Sequence, residues 1–180
     1  MPKAQKTSLE QIFQHALKDI YYAEKTIHKS LPKVIKAAQS TELKDALTAH
    51  REETAEQIKH LEGIFEKIGL PPKGQKCEAI DGILAELTNI IEDFGDTSGC
   101  DAAIVFAGQA VEHYEITRYG TMRVWAEELG WSDIEAVLTT IRDQERAADE
   151  KMTALAEGSF NSIANEHEEA AGDLPKRKVA

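Results

Sequence analysis

The chain has 180 residues, 42% of them hydrophobic, and a formal net charge of −11 at neutral pH. This length suits one domain with a sizeable core. The negative charge argues against binding to phosphate backbones, which requires a basic surface. Apolar runs are shorter than the about 18 residues of a membrane span, and no secretory signal is visible. We therefore expect a cytoplasmic domain without a membrane or nucleic-acid partner.

Helical patterns dominate the sequence, and no strand pattern competes with them. Glycine and proline interrupt the chain at residues 70–74, at residues 95–99 and at Gly130. The intervening segments predict four long helices and one shorter helix, at about residues 8–38, 41–69, 78–94, 100–129 and 132–157. Pro32 lies inside the first segment and is expected to kink or locally break that helix.

The lengths of the connections predict how these helices pack. Very short links join the first two helices and the last two, which indicates two antiparallel hairpins. Between the hairpins lies a longer connection with the shorter amphipathic helix. The sequence therefore predicts an all-α, ferritin-like four-helix bundle with one long crossover, covering residues 1–158. Residues 159–180 are predicted to be a polar, mobile tail whose removal leaves the melting temperature nearly unchanged.

Each long helix carries a carboxylate near its midpoint, on or beside its apolar face. Glu24 follows Ile20 by four residues and precedes Ile27 by three, so the three side chains share one face. The corresponding residues of the other helices are Glu53, Glu112, Glu115 and Glu145, with Asp149 one turn further on. Helices of similar length packed side by side would bring these carboxylates to one level of the bundle.

A cluster of carboxylates in an apolar core is strongly unfavourable unless protons or cations offset its charge. Divalent or trivalent cations do so well, because hard oxygen ligands suit iron, manganese or magnesium. A single glutamate on an apolar stripe is usually paired with a basic residue or close to a helix end. Glutamates near the middle of all four long helices instead predict a carboxylate-rich metal site.

The second helix replaces its central apolar positions by His50, Thr54 and Gln57, with Glu53 beside them. His50 fits a buried, hydrogen-bonded residue and a metal ligand equally well. The Glu-x-x-His pair that marks many dimetal bundles is absent, because His50 precedes Glu53 by three residues instead of following it. The tyrosines are interpreted mainly as packing residues, and the two cysteines as ordinary thiols.

Several stretches carry a resemblance to a known family. They are residues 19–25 (Asp-Ile-Tyr-Tyr-Ala-Glu-Lys), 31–33, 50–54 with Gln57, 111–116, 119–121, and Glu145 with Asp149. Over about residues 8–157 the chain resembles the YciE/YciF-like family of bacterial stress proteins within the ferritin-like superfamily. The resemblance implies a rubrerythrin-like dimetal centre that uses Glu24, Glu53, Glu112 or Glu115, Glu145 and Asp149, with His50 and Gln57 as helpers.

The expected function follows from the carboxylates and the resemblance together. The cofactors are expected to be two metal ions, iron or alternatively manganese, in a stress-response protein that is redox-active towards O₂ or peroxide. The alternative is a catalytically silent helical bundle, structural or interacting with another protein, with a structural metal site or none. A third candidate is a DNA-protecting mini-ferritin, which the net charge disfavours and the basic run at residues 176–178 favours. A homodimer is expected in each case.

Overall fold

The computed structural model describes the backbone of residues 8–171 and the side chains of residues 8–166. A π-helical turn, Ala156–Phe160, joins the last two of its α-helices. The α-helices are α1 (Ser8–Ala37), α2 (Thr41–Lys67), α3 (Glu78–Phe94), α4 (Cys100–Glu128), α5 (Ser132–Leu155) and α6 (Asn161–Ala171). Residues 8–171 contain no strand, so the all-α prediction is confirmed.

The helix boundaries have local causes that are visible in the sequence. The Ser40 hydroxyl accepts a hydrogen bond from the backbone N–H of Leu43 at 3.1 Å and caps the start of α2. Gly69 after α2 and Gly130 after α4 adopt φ values of 69° and 71°. Side chains rarely tolerate this left-handed conformation, whereas glycine adopts it freely. The sequence placed these two helix ends correctly for this reason.

The first helix runs without interruption through Pro32. Proline lacks the N–H that would bond to the preceding turn, which is why a break was expected. Burial of the flanking side chains offsets the missing hydrogen bond, because Leu31 and Val34 are only 5% and 3% exposed. The predicted local break is therefore absent.

The helices pack as two hairpins joined by a crossover. Helix α1 packs on α2, α4 packs on α5, and the bundle closes through contacts of α1 with α4 and of α2 with α5. The crossover helix α3 lies against α4 and α1 and buries Ile80 and Leu87. This arrangement confirms the predicted ferritin-like connection. None of the described helices has the length and apolar character that a bilayer span needs.

A buried carboxylate links the two helical hairpins at one end of the bundle. Asp101, in the first turn of α4, accepts hydrogen bonds from the backbone N–H groups of Gln39 and Ser40, each at 2.7 Å. These groups belong to the turn between α1 and α2, so one side chain joins the two hairpins.

The helical chain continues past the predicted domain boundary. Phe160 is 4% exposed and belongs to the core, where the π-helical turn meets α4. The boundary predicted at residue 158 therefore falls inside a helical segment that reaches Ala171. Residues 172–180 of the predicted tail lie outside the described part of the chain.

Candidate metal centre

Five of the predicted ligands come together in the middle of the bundle. They are Glu24 of α1, His50 of α2, Glu112 and Glu115 of α4 and Glu145 of α5, and each is at most 5% exposed. One ligand atom from each of four of them, all except Glu24, lies within 4.8 Å of the other three. Glu24 joins this group through a hydrogen bond to Glu115. Both hairpins contribute, so the cluster forms only when they pack together.

The four glutamates form two hydrogen-bonded pairs, Glu24 with Glu115 and Glu112 with Glu145. In the first pair the hydrogen bond lowers the pKa of Glu24 and raises the pKa of Glu115. In the second it lowers the pKa of Glu145 and raises the pKa of Glu112. Two carboxyl groups can form a hydrogen bond with each other only when at least one of them carries a proton. Each pair therefore holds at least one proton in the metal-free protein.

Burial raises the pKa of every glutamate in the cluster, because the protein interior replaces the water that solvates a carboxylate. The pKa of Glu24 rises to about 8 and that of Glu145 to about 7. For Glu112 and Glu115 the pKa is also raised well above its usual range, first by burial and then by the charges of neighbouring glutamates. The metal-free core thus retains protons near neutral pH.

His50 brings no positive charge to this cluster. Its Nε2 lies 3.4 Å from Glu112 Oε1, and its Nδ1 lies 4.0 Å from Glu145 Oε2. Burial lowers the pKa of His50 to about 4, so the imidazole is neutral at neutral pH. A neutral imidazole is a good metal ligand but cannot offset carboxylate charge.

Unsatisfied polar atoms are concentrated at this site. In the part of the chain whose side chains are described, seven buried side-chain nitrogen or oxygen atoms lack a hydrogen-bond partner, and six of them lie here. The six are Glu24 Oε2, His50 Nδ1, Gln57 Oε1, Glu112 Oε2, Glu115 Oε2 and Glu145 Oε2. Folded proteins satisfy nearly all such atoms. Carboxylate oxygens with one imidazole nitrogen are a ligand set that fits iron or manganese.

Two uncharged residues orient the glutamates. Gln57 Nε2 donates to Glu145 Oε1 at 2.5 Å, and the Tyr119 hydroxyl donates to Glu24 Oε1. This contact places Gln57 beside the cluster, and its expected helper role stays a prediction. Tyr119 was interpreted as a packing residue, although it lies four residues after Glu115 on the same face of α4. That spacing is the signal that could have identified it.

The structure does not bring the other two candidates, Glu53 and Asp149, into the buried cluster. Glu53 is exposed because it lies one residue, or about 100°, from the buried position of Thr54. The Asp149 side chain is 19% exposed and lies 3.3 Å from His113 Nε2. It also accepts a hydrogen bond from Gln109 at 3.2 Å. Their role as metal ligands stays a prediction.

A four-helix bundle with one long crossover and a buried glutamate–histidine cluster defines a ferritin-like protein whose core could hold metal ions. The family described as "Domain of unknown function (DUF892)" matches residues 8–165. The chain belongs to this family, and the resemblance inferred from the sequence is confirmed.

Similar proteins and solved structures support this family assignment. The chain is 37% identical over 158 residues to Protein YciF of Escherichia coli (strain K12), covering 87% of this chain and 95% of that protein. The crystal structure of the E. coli stress protein YciF matches with a TM-score of 0.81 over 87% of this chain and 99% of the other. The structure of YcfI from Rhodopseudomonas palustris is 46% identical, with a TM-score of 0.79 over 85% and 97%. A protein from Xanthomonas campestris pv. campestris, 19% identical with a TM-score of 0.69 over 90% and 99%, shares the fold alone.

Proposed function

We propose that this protein binds two metal ions, iron or alternatively manganese, in the bundle core. The ligands are the five convergent residues Glu24, His50, Glu112, Glu115 and Glu145. The observation that carries the proposal is the set of unsatisfied ligand atoms at one level of the core. No cationic side chain pairs with these carboxylates in the described part of the chain, and two divalent cations would match the charge of four carboxylates.

Iron bound in this cluster would supply redox chemistry with O₂ or peroxide. Other residues of the chain orient the ligands and keep water out of the site. Tyr119 and Gln57 hold Glu24 and Glu145 in place, and the surrounding core excludes water. The protons shared within the two glutamate pairs must leave when cations bind, so binding releases protons.

We also propose a role in the stress response. The E. coli relative is described as a stress protein, and we extend that role to this chain. A cytoplasmic location and a homodimer stay predictions.

A catalytically silent bundle is the second candidate, with a structural metal site or none. The two glutamate pairs favour it, because shared protons let a metal-free core persist without cations. Metal analysis separates the two candidates. We expect about two ions per chain after anaerobic dialysis against Fe(II), and oxygen uptake when air is admitted. Two ions without oxygen uptake would indicate a structural site, and a protein that binds no metal would contradict the proposal.

A further inference from the structure

A surface groove of about 500 Å³ runs between α2 and α5, directly outside the buried cluster. Four alanines line it, two from each helix: Ala46, Ala49, Ala147 and Ala148. Because these side chains are small, the groove is deep enough for His50 to form part of its lining. Polar side chains complete the lining, among them Glu53, Asp143 and Gln144. The groove is the place where solvent comes close to the centre.

Two residues of the groove connect it to the cluster. His50 lines the groove and also lies 3.4 Å from Glu112. Gln144 accepts a hydrogen bond from Gln57 Nε2 at 3.2 Å, and the same Nε2 donates to Glu145. One layer of side chains therefore separates the groove from the carboxylates.

One carboxylate in the groove, that of Glu53, has no ionic partner among the residues whose side chains are described. Asp143 is hydrogen-bonded to Arg142 at 2.7 Å, whereas no hydrogen bond or ion pair reaches the Glu53 carboxylate among the residues with described side chains. Low-dielectric walls such as the alanines concentrate the field of a carboxylate and raise the local concentration of cations. The only positive residue in the lining is Lys151, which is exposed.

A second observation concerns His50, which lines the groove while its Nδ1 lies 4.0 Å from Glu145 Oε2. His50 is 5% exposed, and its Nδ1 has no hydrogen-bond partner among the described residues. The cavity on the other side of His50 measures only about 20 Å³, and its lining is mainly apolar, including Ile27, Leu31, Leu87 and Val111. A hydrated cation would lose water there and gain few ligands. The groove is thus the more favourable approach to the cluster.

We infer that the α2–α5 groove is the entry site through which divalent cations reach the buried centre. Glu53 binds the incoming cation at the surface, and His50 and Gln144 stand between it and the glutamates. The inference rests on the proposed function and assigns to Glu53 a transit role instead of a permanent ligand role. It accounts for an exposed carboxylate one helical turn from the cluster.

Stopped-flow loading of the chelator-treated full chain with Co(II), followed by its visible absorption, tests this inference. Glu53→Gln removes the first carboxylate, and Ala147→Phe narrows the groove. Their matched controls are Glu52→Gln and Ala110→Phe, at exposed positions outside the groove. We expect each groove variant to load on the order of tenfold more slowly. The controls should load like the wild type.

Equilibrium dialysis completes the test. A change at an entry site alters the rates of Co(II) binding and Co(II) release by the same factor. The number and affinity of bound Co(II) ions should therefore be unchanged in Glu53→Gln. Added salt should slow the wild type more than Glu53→Gln. Loading at the wild-type rate in either folded groove variant would overturn the inference, as would fewer ions bound to Glu53→Gln. Wild-type protein that binds no Co(II) would refute the metal centre itself, and the entry site with it.

Discussion

Tyr119 on α4 donates a hydrogen bond to Glu24 on α1, and both side chains are 0% exposed. The bond joins the two hairpins at the level of the carboxylate cluster. It also lowers the pKa of Glu24, against the larger rise that burial causes. A buried hydroxyl thereby keeps one glutamate of the site closer to its charged form.

Replacing Tyr119 by Phe should weaken both the fold and the site. The free energy of unfolding of the metal-free protein should fall by about 1–3 kcal/mol, because Glu24 loses its hydrogen-bond donor. Without the donor the pKa of Glu24 rises further, so Mn(II) affinity should fall more at pH 6.5 than at pH 8. Urea unfolding and Mn(II) titration measure the two effects.

Tyr22→Phe is the matched control for Tyr119→Phe. The Tyr22 hydroxyl donates to Asp81 at 2.9 Å, outside the cluster. The control should leave metal affinity unchanged. Equal effects of the two substitutions on Mn(II) binding would show that Tyr119 does not act through Glu24.

The metal-free protein should become less stable as the pH rises from 6.5 to 8. The folded form keeps protons on Glu145 and Glu24, whose pKa values are raised to about 7 and about 8, whereas the unfolded chain has lost them. The stability from these raised pKa values is complete below about pH 4.5 and is lost as the pH passes through the folded values. Each such proton contributes about 1.4 kcal/mol per pH unit.

His50 acts in the opposite direction but in a different pH range. Its folded pKa is lowered to about 4, so the stability it contributes is present above pH 6.5 and is lost as the pH falls towards 4. Between pH 6.5 and 8 the glutamates therefore determine the slope. Urea unfolding at several pH values, with chelator and then with saturating Mn(II), checks this. The slope should nearly vanish with metal, and a flat profile without metal would contradict the protonated cluster.

The fold could be predicted from the sequence because its determinants are local. Gly69 and Gly130 end helices through their own backbone conformation, and Ser40 caps the next helix through its own hydroxyl. The convergence of five polar residues in the core could also be predicted, because helical spacing fixes which side chains share a face.

Three features of the structure could not be predicted from the sequence, because they depend on tertiary contacts. Glu53 has nearly the same spacing as the buried residues, but the packing of α2 turns it to the groove. Tyr119 looked like a packing residue until α1 placed Glu24 beside its hydroxyl. Phe160 lies in a polar segment, and only its contact with α4 reveals it as part of the core.

The substitution Glu145→Gln tests the metal centre directly. It keeps the shape of the side chain and removes one buried charge. The described residues offer Glu145 no cationic partner, since His50, 4.0 Å away, is neutral. The metal-free variant should therefore be at least as stable as the wild type, and it should bind fewer ions and gain less stability from them.

Glu86→Gln on the exposed face of α3 is the matched control for Glu145→Gln and should bind metal like the wild type. The two proteins are melted with chelator and then titrated with Fe(II) or Mn(II) in the absence of air. A destabilised metal-free Glu145→Gln variant with unchanged stoichiometry would refute the assignment of Glu145 as a ligand.

The C-terminal segment should contribute to stability up to Phe160 and little beyond residue 166. Removing residues 159–180 deletes the buried Phe160 ring, and losing a buried phenylalanine costs about 3 kcal/mol. For a chain of this size we expect Tm to fall by about 6–12 °C. Removing residues 167–180 retains the ring and should leave Tm nearly unchanged, and Phe160→Ala in the full chain should reproduce most of the larger loss. Equal melting temperatures for the two truncated proteins would mean that Phe160 does not anchor the segment, as the polar composition of residues 159–180 first suggested.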